Sequence, residues 1–237
     1  MSLQNKIITI TLFGIGMAFM ESAVVIYMRE ILYPDGFQFP LSPIPVELAV
    51  TELIREISTM VMLITVAILA ARRFSTGFGW FLYTFAVWDI FYYVFLWSLL
   101  GWPESIMTWD ILFLIPTTWT GPVLSPVLVS LTMILLAMAI LTQAEKGKDT
   151  RIPGYIWTGL IVGSLVLILG FVSDYSRHML IYFTVFGMLE VKNPEVLEVA
   201  TRYIPERFPW WIFAIGELII LTFIGLYYRR LNRSLPG

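Results

Sequence analysis

From Phe74 to Leu100 the sequence reads FSTGFGWFLYTFAVWDIFYYVFLWSLL, and Asp89 is its single charged side chain. A helix of that span is about 40 Å long at 1.5 Å per residue. That exceeds the roughly 30 Å hydrocarbon core of a bilayer. Five more apolar runs of spanning length cover residues 7–28, 46–71, 121–141, 155–173 and 210–228. In lipid every backbone polar group needs a partner within the chain, and only helices or closed barrels supply them all. The runs show no alternation of the kind a barrel strand carries, so they predict helices. The expected fold is all-α: a polytopic bundle of six transmembrane helices with short interfacial helices in the outer loops, and one domain over residues 1–237.

Composition agrees with that reading. The chain is 58% hydrophobic and 14% charged, with mean hydropathy +0.81, whereas a soluble domain carries about 25% charged residues. There is no cysteine, which removes disulfides, thiolate chemistry and Cys-ligated metal centres. The single histidine, His178, removes multi-histidine metal sites and bis-histidine haem ligation within the chain. A net charge of −2 carries no basic excess that would point to nucleic acid. No cofactor or metal is expected. The first apolar run continues past Glu21 without a small-x-small cleavage site, so it is read as a retained helix.

The basic residues set the expected orientation. Lys6, Arg72, Arg73, Lys146, Lys148, Arg151, Arg229, Arg230 and Arg233 all fall at the termini or in the 2–3 and 4–5 loops, which share one side of a six-helix topology. The positive-inside rule makes that side cytoplasmic, and the expected location is the cytoplasmic (inner) membrane. The outer connections are longer. Loop 1–2 holds Pro34, Pro40, Pro43 and Pro45, with Pro45 near the first turn of the second helix. Loop 3–4, GWPESIMTWDILFLIPTTWT, is rich in tryptophan and is expected to lie on the membrane surface or dip into it. In loop 5–6, Asn193 is a plausible N-cap, Pro194 falls at the first helical position, and Val196, Leu197, Ala200 and Tyr203 form an apolar stripe. That predicts a short interfacial helix.

Counting inward from the predicted helix ends places Glu21, Glu56 and Asp89 about 21 to 22 Å above the cytoplasmic edge. Three carboxylates on three helices therefore share one height, nearer the outer face. Glu52 lies four residues before Glu56 on the same helical face, with Arg55 between them. Glu217 sits in the sixth helix, and Asp174, Arg177 and His178 fall at the outer end of the fifth. A lone charge facing lipid costs from about 3 to over 10 kcal/mol, so these groups must face one another or a wet cavity. Arg55 can bridge two carboxylates but leaves several acids over, which must hold protons or a cation.

The expected ligand- or proton-binding set is Glu21, Glu52, Arg55, Glu56, Asp89 and Glu217, with Asp174, Arg177, His178 and Asp110 in a minor role. The function expected is binding or relay of protons, cations or a small polar solute, with the lipid bilayer and partner membrane subunits as other partners. One alternative is a structural subunit of a larger membrane complex, in which the charges fix helix register. Another is an intramembrane lipid or isoprenoid enzyme with paired carboxylates. On this reading Asp89→Asn and Glu56→Gln disturb function more than Asp110→Asn. Gly159, Gly163 and Gly170 are expected to permit a close helix approach.

Overall fold

The computed structural model describes residues 2–34, 36–190 and 192–233. Six helices of 22 to 30 residues are long and apolar enough to span a bilayer: α1 (Leu3–Leu32), α2 (Val46–Ala70), α3 (Phe74–Leu100), α4 (Leu124–Glu145), α5 (Gly154–Met179) and α7 (Trp210–Arg233). The chain is a multi-pass membrane protein with an all-α bundle. Between α3 and α4 lies a two-stranded antiparallel hairpin, β1 (Trp109–Phe113) and β2 (Trp119–Pro122), and α6 (Pro194–Ala200) lies between α5 and α7.

Local chemistry explains the ends. The Ser2 side chain accepts from the Asn5 N–H at 3.3 Å and opens α1. Pro45 precedes α2 with extended backbone. Gly101 closes α3 at φ +66°, a left-handed conformation that glycine adopts without cost, and its N–H reaches the Trp97 carbonyl. Asn193 caps α6 through its side-chain oxygen at 3.0 Å from the Glu195 N–H, with Pro194 at the first helical position, as the sequence predicts. The fourth span starts later than its apolar run. Residues 121–123 belong to β2 and the turn that follows it, because the Val123 and Leu124 amides bond the Thr108 and Ile106 carbonyls.

Within the bundle α3 packs against α1, α2 and α4, while α5 pairs with α7 and α4 links the two groups. The α5–α7 seam is glycine-lined. A Cβ at Gly159 would strike the Phe223 ring, and one at Gly163 would fall 2.5 Å from Ile220 Cγ1. Gly170 differs, since a Cβ there finds its nearest neighbour at 3.8 Å. The face carrying the termini is tied by polar contacts: Tyr227 Oη donates to the Thr150 carbonyl (2.6 Å), Lys148 Nζ to the Leu231 carbonyl (2.9 Å) and Gln143 Nε2 to Asn232 (2.9 Å). On the opposite face Val196, Val199 and Tyr203 pack α6 and its exit onto Tyr175 and Met179 at the end of α5.

Loop 3–4 forms this hairpin, a strand pairing that its expected placement on the membrane surface or dipping into it did not specify. Trp109 pairs with Pro122, Asp110 with Gly121, Ile111 with Thr120 and Phe113 with Trp119, with the register slipping between Ile111 and Phe113. Its Trp109 and Trp119 pack with Phe171, Phe208 and Phe213, and Asp110 is buried at 2% exposure.

Candidate functional site

The site begins with spacing along α2. Glu52, Arg55 and Glu56 lie three and four residues apart, so one helical face carries all three. Arg55 Nε donates to Glu52 Oε2 at 2.8 Å, its Nη2 bonds Glu52 Oε1, and its Nη1 forms an ion pair with Glu21 of α1. Thr59, one turn further along α2, donates to the other Glu21 oxygen at 3.3 Å. Glu21, Glu52 and Arg55 thus clamp α1 to α2. They are not sealed: their side chains retain 12%, 13% and 20% exposure. Glu56 points elsewhere. Both its oxygens accept from the Leu114 N–H at 3.0 Å, which pins the residue after β1 to α2.

A second charged pair faces this one. Arg29, in the last turn of α1, donates to Asp110 Oδ1 at 3.2 Å, and Tyr93 Oη of α3 donates to Asp110 Oδ2 at 3.3 Å. The Arg29 guanidinium lies over the Trp102 ring at 3.7 Å and the Phe37 ring at 4.4 Å. These aromatic faces offset the desolvation of a cation whose side chain is 8% exposed. Asp110 lies in the hairpin, outside the spans. Burial pushes its carboxyl up from an ordinary 3.8 to about 6, against the opposing pull of Arg29.

Both clusters line one cavity of about 260 Å³. Its charged contributors are Glu21, Glu52, Arg55, Glu56, Arg29 and Asp110, and apolar and aromatic side chains such as Met28, Trp88, Tyr92, Tyr175 and Leu197 supply much of the wall. Four carboxylates therefore meet two guanidinium groups. Among the described residues no group of three or more Asp, Glu, His or Cys side chains has metal-binding geometry. Arg55 standing between Glu21 and Glu52 accounts for this at the α1–α2 clamp.

The expected convergence of Asp89 with Glu21 and Glu56 does not form. Asp89 accepts from Ser130 Oγ of α4 at 2.8 Å and is not part of the cavity lining. Equal depth fixes height along a helix but not the direction a side chain takes around it. Glu217 likewise accepts from Thr132 of α4 at 2.8 Å, away from the cavity. At the outer end of α5, Asp174 accepts from Tyr203 Oη (2.7 Å) and the Glu206 N–H (3.2 Å), and His178 Nε2 lies 3.1 Å from the Val199 carbonyl. Asp174 and His178 thus bond different partners. Arg177 is exposed and in no ion pair among the described residues. The second half of the chain gives the cavity apolar wall rather than charge.

Sequence reasoning missed Arg29 and gave Asp110 a minor place. Two signals were present. Arg29 follows Glu21 by eight residues, within a quarter turn of the same helical face. Trp109-Asp110 echoes Trp88-Asp89, and both tryptophan–aspartate pairs carry buried or half-buried acids. No protein-family model, curated protein or solved structure matches the chain.

Proposed function

We propose that the cavity binds a small cationic or polar solute, or the protons that take its place, and that the chain serves a transport-type role. We further propose that it lies in a cytoplasmic membrane, with both termini cytoplasmic and the cavity toward the exterior. One observation carries the binding reading: four carboxylates and only two guanidinium groups line one cavity with extensive apolar walls. Excess negative charge in such surroundings calls for protons or a positively charged guest. The distribution of Lys and Arg supports the orientation.

The test is ligand-dependent thermal unfolding of the purified full chain in detergent. Probes are sodium, magnesium, ammonium and short alkylammonium ions, each at several pH values. A guest held at one hundred times its Kd raises stability by about 2.7 kcal/mol. At least one probe is expected to raise the midpoint, with Glu21→Gln and Glu56→Gln abolishing the rise and Asp89→Asn keeping it. No response to any probe, or equal loss in all three variants, would defeat the reading.

A structural-subunit reading has its own support. Asp89–Ser130 and Glu217–Thr132 tie α4 to α3 and α7 by hydrogen bonds outside the cavity. On that reading carboxylate substitutions lower stability alike, and no probe discriminates among them.

A further inference from the structure

A second recess lies far from the carboxylates, at the α2–α3 turn on the face that carries the termini. Ile64, Ile68 and Ala71 form one wall, and Gly77, Phe78 and Phe81 form the other, enclosing about 410 Å³. Arg72 and Arg73 complete its lining, and both are exposed. Neither takes part in an ion pair among the described residues. Lys6 of α1 adds a third cation nearby, its Nζ donating to the Ala70 carbonyl at 3.1 Å. The turn marks where two spans leave the hydrocarbon, which is the level of lipid phosphates. Guanidinium groups bind phosphate oxygens in a forked geometry, and basic residues at this level attract anionic lipid.

We infer that this recess is a binding site for an anionic glycerophospholipid, with its phosphodiester on Arg72 and Arg73 and an acyl chain along the apolar slot between α2 and α3. Charge complementarity selects the occupant. A zwitterionic lipid gains less from three cations with no acid among them. A second copy of the chain would bring its own Arg72 and Arg73 against these, since the recess is a like-charged patch. The inference is independent of what the carboxylate cavity binds.

Native mass spectrometry of the full chain in detergent tests it, titrating phosphatidylglycerol or phosphatidylcholine of matched acyl chains. The unsubstituted chain is expected to prefer phosphatidylglycerol by about tenfold. Arg72→Gln with Arg73→Gln should remove that preference, lowering phosphatidylglycerol uptake more than phosphatidylcholine uptake, while Arg72→Lys with Arg73→Lys should keep most of it. Gly77→Leu fills the slot without altering charge. A Cβ there meets only ordinary contacts, the nearest being Ala71 Cβ at 3.6 Å. This variant should lower retention of phosphatidylglycerol. The inference is overturned if the double glutamine variant keeps the full preference, if Gly77→Leu retains as much phosphatidylglycerol as the parent, or if glycerol 3-phosphate displaces the lipid at equal concentration.

Discussion

Asp110 shows how much one residue's surroundings matter. Its carboxyl sits at about 6, raised chiefly by burial. A folded-state value above the unfolded one means the native protein holds the proton more tightly. The stabilisation is complete below about pH 4 and is lost as pH rises through about 6. A shift of this size corresponds to at most about 3 kcal/mol. Unfolding midpoints should therefore fall across that window, against the usual trend for carboxylates, and Asp110→Asn should flatten the profile. A parent profile that rises over the same window would refute the assignment. The sequence marked Asp110 as a loop acid of minor weight and Asp89 as central, and the structure reverses their relation to the cavity. The reason is geometric. Counting at 1.5 Å per residue gives depth, but azimuth depends on which helices are neighbours, and α3 presents Asp89 to α4. The Glu52–Arg55–Glu56 grouping was legible because all three share one helix, where spacing alone fixes the face.

At the level of elements, the spans were readable because lipid demands helices and apolar length together. The hairpin was not, because β1 buries its one acid and leaves its apolar side chains half-buried. Asp110 turns into buried surroundings while Trp109 and Trp119 pack against the aromatic cluster around Phe171 and Phe208. The alternation that betrays a half-exposed strand is therefore missing. The glycines of α5 were legible as a group but not individually. Gly159→Ala should cost about 1 to 3 kcal/mol, as insertion of a methyl into packed space does, because Phe223 occupies that position. Gly170→Ala has room and should be neutral or slightly stabilising through helix propensity. Unfolding in a graded denaturing detergent compares the two. Equal effects would mean that α5 and α7 do not meet along the Gly159–Phe223 line.

At the scale of the whole molecule, the two faces differ in construction. One is held by short connections and by hydrogen bonds from Tyr227 to Thr150, Lys148 to Leu231 and Gln143 to Asn232, and nine of the fifteen basic residues lie on that side. The other carries the proline-rich loop, the hairpin and α6, and the cavity lies beneath these elements. This asymmetry suits a site approached from the loop-rich side, with a compact, charged base on the other. The absence of cysteine allows a direct check, since any introduced thiol is unique. Cysteines at Glu104 and Lys192 should react with a membrane-impermeant maleimide in intact cells. A cysteine at Lys146, exposed at the end of α4, should react only after the membrane is opened. The reverse pattern would turn the bundle over and place the cavity toward the cytoplasm. The helix arrangement and the carboxylate geometry would stand, but the guest would then be drawn from inside the cell.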